Sequence, residues 1–168
     1  MDFNPTERQK ELLEPFRALC SGTIEPEAGR IDRERAFPRE NIKRLGEAGY
    51  LGLLFPEEYG GASEGMLTYA ILGEELAKSC PTTFLAAMYS SLICAGLIHE
   101  FGSDEAKKQT LPGLLSGELV GAVALTEPGC GSDYEAMKTI FAASGDRFTL
   151  DGTKMYVTNG SAADVAIV

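Results

Sequence analysis

The chain is poor in the residues that build metal sites and histidine-based catalytic groups. Its 168 residues include one histidine, His99, and four cysteines, which show no CxxC spacing: Cys20, Cys80, Cys94 and Cys130. A structural metal needs several such ligands close together, so we expect no metal site. A lone histidine argues against a histidine-based triad, and we expect His99 to be an ordinary residue of a helix. So few cysteines make no disulfide scaffold, so we expect reduced thiols and a cytoplasmic protein.

Positive charge and long apolar runs are also scarce. The 15 lysines and arginines face 25 aspartates and glutamates, a formal net charge of −10. Binding to nucleic acid or to anionic membranes depends on neutralising phosphate, so we expect neither partner. No apolar run approaches the roughly 20 residues that span a bilayer. The segment 1–7 lacks the basic start of a signal peptide, so we expect no leader.

The first two-thirds of the sequence has helical periodicity. Asn4 is predicted to cap the first helix in a capping box with Glu7, and Pro15 is expected to kink or divide it. We predict a charged connector at 25–37 and a short extended piece at 51–55. The apolar residues recur at helical spacing in five segments, which are 5–24, 38–48, 66–78, 82–101 and 104–115. The fourth is apolar nearly all round, so we expect it to be buried on several sides.

The periodicity changes to that of short strands between residues 116 and 119. Turns are expected at 144–146 and at Asp151–Gly152, and the second has the composition of a hairpin turn. The predicted strands are 119–125, 138–143, 147–150, 154–158 and a fifth that begins at 164. The sequence therefore predicts a helical part followed by a β part.

Two motifs rich in glycine and hydroxyl groups lie in the β part. They read ALTEPGCGSD at 124–133 and GTKMYVTNG at 152–160. Their separation suits a path out along one strand and back along another, so that Thr126 and Thr158 converge on one flat, polar-edged ligand. A flavin ring needs such donors and a wall, and Tyr156 offers an aromatic face. Gly129 and Gly131 permit close approach of the backbone. Each motif alone is also an ordinary turn sequence, so the hypothesis depends on the pair.

These motifs resemble the signatures of the acyl-CoA dehydrogenases, flavoenzymes that oxidise acyl thioesters. The first matches with Cys130 where alanine is usual, and the second with Tyr156 where tryptophan is frequent. A third hallmark is FPEEYGG at 55–61. Ile24-Glu-Pro and Phe37-Pro38 fit the same family, and the match spans the whole chain.

The resemblance implies an α+β fold, with an all-helical domain at 1–117 and the beginning of a β-barrel-like domain at 118–168. It also implies an FAD cofactor, with Thr158 at flavin N5 and Thr126 at the pyrimidine edge. Ser132 would also meet the CoA portion of the substrate. Met88 and Leu92, on a helix with Leu85 and Tyr89, would line part of the acyl pocket, although ordinary core packing stays an alternative. The residues implied at the cofactor are Val123, Leu125, Thr126, Gly131, Ser132, Tyr156, Val157 and Thr158.

The reaction implied by the resemblance is α,β-dehydrogenation of an acyl-CoA in fatty acid metabolism. A carboxylate removes the α proton, the β hydrogen leaves as hydride to flavin N5, and electrons pass to an electron-transfer flavoprotein. Two alternatives stay open: an oxidase-type enzyme that admits O₂, and a non-catalytic or split subunit that scaffolds a partner. The base is expected in the family's C-terminal helical bundle, which this sequence does not contain. We therefore assign no base, and Glu127 receives no proton-transfer role.

The sequence stops at Val168 inside an apolar run, where the family is less than half finished. We expect this chain alone to be inactive, and the complete protein to be a homodimer or homotetramer. Three explanations are open: a fragment, the first segment of a longer chain, or half of a split enzyme. We favour a sequence that stops short of the end of its protein.

Overall fold

The computed structural model describes residues 4–168, whose α-helices all lie within residues 7–116 and whose strands all lie within residues 121–167. The N-terminal residues 1–3, on which the expectation of no leader partly depends, lie outside this range. The helices are α1 (Glu7–Leu19), α2 (Glu25–Glu34), α3 (Arg39–Glu47), α4 (Met66–Ser79), α5 (Pro81–Met88), α6 (Gly96–Phe101) and α7 (Asp104–Ser116). This arrangement confirms the α+β prediction of a helical part followed by the start of a β part.

Within residues 4–168, the strands form two separate two-stranded sheets. Strand β1 (Gly121–Val123) pairs in parallel with β4 (Val165–Ile167), with Ala122 opposite Ala166. Strand β2 (Ile140–Ser144) pairs antiparallel with β3 (Arg147–Asp151). The hairpin turn is the predicted one at 144–146, where Gly145 takes a φ of 60° that suits glycine.

The first helix differs from its prediction at its N-terminal cap and at Pro15. Its N-cap is Thr6, whose hydroxyl accepts from the Gln9 backbone N–H at 3.3 Å while the Gln9 side chain accepts from the Thr6 N–H at 2.9 Å. The predicted box with Asn4 and Glu7 is therefore wrong. The helix also continues through Pro15 instead of dividing there. Proline has no N–H to donate to the Glu11 carbonyl, and both Glu11 and Pro15 are exposed residues.

The predicted connector at 25–37 is also wrong, because most of it is helix α2. A π-helical segment, Cys20–Ile24, joins α1 directly to α2. Arg30 bridges Glu27 at 2.7 Å and Glu34 at 2.9 Å, which are the spacings that support a helix. Buried Ile31 anchors the helix to the core.

Two predicted extended segments are not strands. Residues 51–55 form successive turns, closed by the bond from the Phe55 N–H to the Gly52 carbonyl at 3.0 Å. Residues 154–158 contain no strand either, and Asp151–Gly152 is not a hairpin turn. Tyr156 and Asn159 have left-handed backbones, with φ of 55° and 66°, which a strand excludes.

The apolar segment from Pro81 to Phe101 is the central helix of the molecule. Helices α5 and α6 are joined by a second π-helical segment, Tyr89–Ala95, and several of its faces are buried, as predicted. Its 21 residues, with a mean hydropathy of 1.5, are long and apolar enough to cross a membrane by length and composition. That corrects the expectation that no such stretch exists, although buried core helices meet the same criterion.

The central helix carries the contacts that place the β part. The π segment Tyr89–Ala95 packs against β1, and Cys94 and Ala95 are fully buried. Leu111 and Leu114 of α7 belong to the same core, and Val123, Val165 and Ile167 pack on it. The short sheet β1–β4 is therefore held on the same helix that the resemblance assigns to the acyl pocket.

Candidate functional site

A cavity of about 220 Å³ lies between the central helix and the segments that follow β1 and β3. Its walls are mainly aliphatic and aromatic, with one threonine hydroxyl. The residues that line it are Tyr89, Ile93, Val123, Leu125, Thr126, Met155 and Tyr156. Four of the eight residues predicted at the cofactor thus meet in one place. We call this space the Thr126 cavity.

Backbone hydrogen bonds fix the two motifs beside this cavity. The Ala124 N–H donates to the Ile167 carbonyl at 2.8 Å, which continues the pairing of β1 with β4. The Met155 N–H donates to the Thr126 carbonyl at 2.8 Å, which ties the second motif to the first. Thr126 itself is half-buried at the rim. The predicted meeting of the two motifs therefore occurs through main-chain contacts.

Tyr156 has an unusual backbone and a free ring. Its φ is 55°, a region that bulky residues seldom occupy, and its side chain is 85% exposed. Strained backbone of this kind is frequent at ligand sites. The ring stands at the mouth of the Thr126 cavity, where it can cover a flat ligand.

Glu127 is the most heavily bonded carboxylate of the site. It is 6% exposed, and it accepts from the Lys138 N–H at 2.7 Å, from the Thr139 N–H at 3.0 Å and from the Thr139 hydroxyl. Lys154 completes the cluster with an ion pair of 2.9 Å. Lys154, Thr139 and the Lys138 N–H together lower the pKa of the Glu127 carboxyl to about 2.

This cluster connects three stretches of chain. Lys154 also donates to the Leu125 carbonyl at 3.1 Å, so it holds the residue just before Thr126. A Cβ on Gly152 would lie 2.2 Å from the Thr139 hydroxyl, so only glycine fits there. Glu127 is thus a structural anion, since a carboxylate with a pKa near 2 and this many donors is a poor base. The sequence offered no signal for its partners, which are 11 to 27 residues away.

The glycine-rich turn after Glu127 lies outside the lining of the Thr126 cavity. The Glu127 and Cys130 backbones exchange two hydrogen bonds of 2.9 and 3.1 Å, and the Cys130 thiol donates to the Asp133 carbonyl at 2.9 Å. Gly131 and Ser132 are exposed on this turn. Their predicted contacts with a cofactor and with CoA stay predictions.

Thr158 lines a second cavity, of about 330 Å³, rather than the first. Its walls come from the second motif, the α2–α3 loop and helix α5, and its residues are Arg35, Ala36, Phe37, Pro38, Thr82, Leu85, Ala86, Thr158, Asn159 and Ser161. The structure thus places Thr126 and Thr158 in the linings of two different cavities. Val157 is half-buried and lines neither of them. The predicted approach of both threonines to one ring stays a prediction.

The residues predicted for the acyl group and CoA are not brought together in one cavity. Leu92 lines a third, apolar cavity of about 340 Å³ with Tyr69 and Gly73 of α4 and Phe84 of α5. Met88 is half-buried on the same long helix, and Ser132 lies on the exposed turn. Of this long helix, Tyr89 and Ile93 line the Thr126 cavity, and Leu85 and Ala86 line the second cavity with Thr158.

Ile93 and Met155 were not predicted at the site. Ile93 lies four residues after Tyr89, so helical spacing from Tyr89 is the signal that could have identified it. Met155 stands inside the second motif and was interpreted as a strand residue. Within residues 4–168, no three His, Cys, Asp or Glu side chains lie close enough to hold a metal ion.

Comparison with known proteins places the chain in one family. The family model "Acyl-CoA dehydrogenase, N-terminal domain" matches residues 6–118, and "Acyl-CoA dehydrogenase, middle domain" matches residues 122–168. The short-chain specific acyl-CoA dehydrogenase of Clostridium acetobutylicum is 39% identical over 168 residues, which are 100% of this chain and 44% of the relative.

Two solved structures have the same fold over this chain. One is described as the electron transferring flavoprotein of Acidaminococcus fermentans, with a TM-score of 0.93 and 36% identity over 100% of this chain and 44% of that one. The other is a glutaryl-CoA dehydrogenase of Mycobacterium smegmatis in complex with FADH2, with a TM-score of 0.92 and 29% identity over 98% of this chain and 42% of that one. The chain spans less than half the length of these proteins.

Proposed function

Because this chain belongs to the acyl-CoA dehydrogenase family, we propose that the protein containing it binds FAD and dehydrogenates an acyl-CoA between its α and β carbons. The observation that carries the proposal is the Thr126 cavity. It brings together Val123, Leu125, Thr126 and Tyr156, four of the residues that the sequence motifs predict at a flavin. The FADH2 complex of the M. smegmatis relative supports the choice of cofactor.

The residues of the Thr126 cavity suit a flavin ring. Val123 and Leu125 offer an apolar wall, and the Thr126 hydroxyl offers a hydrogen bond at its edge. The exposed Tyr156 ring can cover the open side. When bound, FAD would supply the acceptor for a pair of electrons and a hydrogen from the substrate.

The chain's own contribution is binding and orientation. Thr126 and Tyr156 would set the plane of the ring, and the Glu127–Lys154 ion pair would hold the backbone on which Thr126 stands. Removal of the α proton needs a carboxylate whose pKa is not strongly depressed, so it is not assigned to Glu127. Leu85 and Ala86, beside Thr158 in the second cavity, are the helix positions we propose for contact with the acyl group.

The test is an anaerobic titration of the protein in its full length. We expect flavin absorbance in the purified protein and its bleaching by a short-chain acyl-CoA, the substrate class of the C. acetobutylicum relative. A matched control is the free carboxylic acid, which lacks the acidifying thioester and should leave the flavin oxidised. A full-length protein that binds no flavin, or whose flavin no acyl-CoA bleaches, would contradict the proposal.

We also propose an electron-transfer flavoprotein as the electron acceptor, and the match to the A. fermentans structure supports this choice. Turnover should then require the flavoprotein and consume little oxygen. Rapid oxygen consumption without a partner would instead indicate an oxidase, and flavin binding without bleaching would indicate a scaffolding subunit.

A cytoplasmic homo-oligomer, a dimer or tetramer, is proposed for the full-length protein. The location is supported by four cysteines that are all buried as free thiols. Assembly is supported by the exposed aromatic face of the β2–β3 hairpin, where Phe141 and Phe148 stack at 5.3 Å. Light scattering of the purified protein measures the assembly, and a monomer would contradict it.

A further inference from the structure

Asn159 makes buried contacts that the flavin motif does not explain. Its residue is 9% exposed, and its backbone is left-handed with a φ of 66°. The side-chain amide donates to the Ala86 carbonyl at 2.9 Å and to the Gly121 carbonyl at 3.0 Å. Both amide hydrogens are therefore used, one on helix α5 and one on strand β1.

The two carbonyls that Asn159 binds belong to a tightly packed part of the core. The Gly121 N–H donates to the Ser90 hydroxyl at 2.9 Å. A Cβ added to Gly121 would lie 2.7 Å from both side-chain atoms of Cys94. Strand β1 therefore lies against the central helix with no room for a larger residue at position 121, so Asn159 is tied to a tightly packed part of the core.

Asn159 directly follows the residues of the second motif that line the two cavities. Tyr156 lines the Thr126 cavity, and Thr158 lines the second cavity with Leu85 and Ala86. Residues 154–158 have no strand pairing, so the segment lacks a sheet to hold it. The backbone bond from Met155 to Thr126 fixes its beginning, and the amide of Asn159 fixes its end.

We propose that Asn159 is a positioning residue of the cofactor site, which sets the distance of Thr158 and Tyr156 from helix α5 through the carbonyls of Ala86 and Gly121. This inference rests on the proposed function, because it assigns the held segment to a flavin. Asn159 does not need to touch the cofactor. Its loss should leave the fold and let Tyr156, Val157 and Thr158 shift.

The first test variant is Asn159→Gly in the full-length protein. Glycine keeps the left-handed backbone without strain and removes the side chain that carries the amide. A second variant, Asn159→Asp, keeps the shape and replaces the two donors with an acceptor that faces two carbonyls. The matched control is Asn41→Ala, which removes another buried amide, whose donor lies 3.0 Å from the Thr83 hydroxyl in the helical part.

All three variants should lower the melting temperature, but only the Asn159 variants should change the affinity for FAD and the visible spectrum of the bound flavin. We expect Asn159→Gly to raise the Kd for FAD roughly tenfold, the equivalent of a lost buried hydrogen bond or two, and to shift the visible flavin bands. Asn41→Ala should leave both unchanged. Amide hydrogen exchange at 156–160 should be faster in Asn159→Gly than in Asn41→Ala.

Two failures are distinguishable. A wild-type protein that binds no flavin overturns the proposed function and this inference together. A wild-type protein that binds FAD, with an Asn159→Gly variant whose flavin Kd and spectrum equal those of Asn41→Ala, overturns this inference alone.

Discussion

At the scale of the residue, Glu127 of the first motif has a structural role, because its hydrogen bonds hold other segments of the chain in place. Its buried carboxylate accepts hydrogen bonds from the Lys154 ammonium and from the backbone N–H groups of residues 138 and 139. Because these donors disappear on unfolding, the pKa of Glu127 is about 2 in the folded protein and near its ordinary value of 4.5 in the unfolded chain.

The sign of this shift makes the stabilisation depend on pH. A lowered folded-state pKa means that the stabilisation is complete above pH 4.5 and is lost as the pH falls toward 2. We expect Glu127→Gln to lower the melting temperature at pH 7, and the gap from wild type to narrow below pH 4.5. Thermal unfolding measured from pH 3 to pH 7 checks this. A gap that does not change with pH would show that the charge of Glu127 is irrelevant.

Thr126 is the residue for which a hydroxyl should matter most. Thr126→Val keeps the shape and removes the hydrogen bond that we assign to the flavin edge. The Kd for FAD should rise about tenfold, since a hydrogen bond in a partly dry site is worth about 1.5 kcal/mol. Thr153→Val is the control, because Thr153 is an exposed threonine of the second motif and does not line the cavity. Equal flavin affinity in the two variants would remove Thr126 from the site.

At the scale of the element, the π-helical segment Tyr89–Ala95 positions the β part. Gly121 of β1 lies so close to it that Gly121→Ala should overpack the interface and cost about 1–3 kcal/mol. Gly96→Ala is the matched change, since a Cβ there meets nothing within 4 Å and α6 gains about 1 kcal/mol of helix propensity. Chemical denaturation should show that the free energy of unfolding falls in Gly121→Ala and rises in Gly96→Ala. A neutral Gly121→Ala would show that β1 is free to move.

The elements also show what the sequence could predict. Helices α3, α4 and α7 follow from local periodicity, and the structure confirms them within one or two residues. Helix α2 was missed because its residues read as a charged connector, whereas the Arg30 pairs and buried Ile31 make it helical. The strand predicted at 154–158 is wrong. Its β-branched and aromatic residues are typical of a strand, but Tyr156 has a left-handed backbone, which depends on tertiary contacts.

The candidate site was predictable to a similar degree. Val123, Leu125, Thr126 and Tyr156 meet in one cavity, as the two motifs suggested. The separate position of Thr158 and the amide bonds of Asn159 depend on where helix α5 lies, and no local pattern encodes that. The hydrogen-bond partners of Glu127 are likewise not encoded in any local pattern, because they lie 11 to 27 residues away along the chain.

At the scale of the whole molecule, the β2–β3 hairpin exposes an apolar face. In the register of the pair, Phe141 lies opposite Leu150 and Phe148 opposite Ala143, so all four share one side. Phe141, Phe148 and Leu150 are 65%, 69% and 52% exposed. An apolar sheet face of this kind is normally covered in a folded assembly.

We therefore expect Phe148→Ser to destabilise the full-length protein by about 3–5 kcal/mol, the range for loss of a buried phenylalanine side chain. Thr149→Ser, on the opposite face of the same strand, should have little effect. Melting temperature and light scattering together check this. An unchanged melting temperature and an unchanged assembly in Phe148→Ser would show that this face is open to solvent in the native protein.

The most direct test of the central claim is a crystal structure of the full-length protein with FAD. The account predicts that the flavin ring lies against Val123 and Leu125, with its pyrimidine edge at the Thr126 hydroxyl and Tyr156 over its open side. A flavin bound elsewhere, or a Thr126 cavity filled by side chains in the complex, would contradict it.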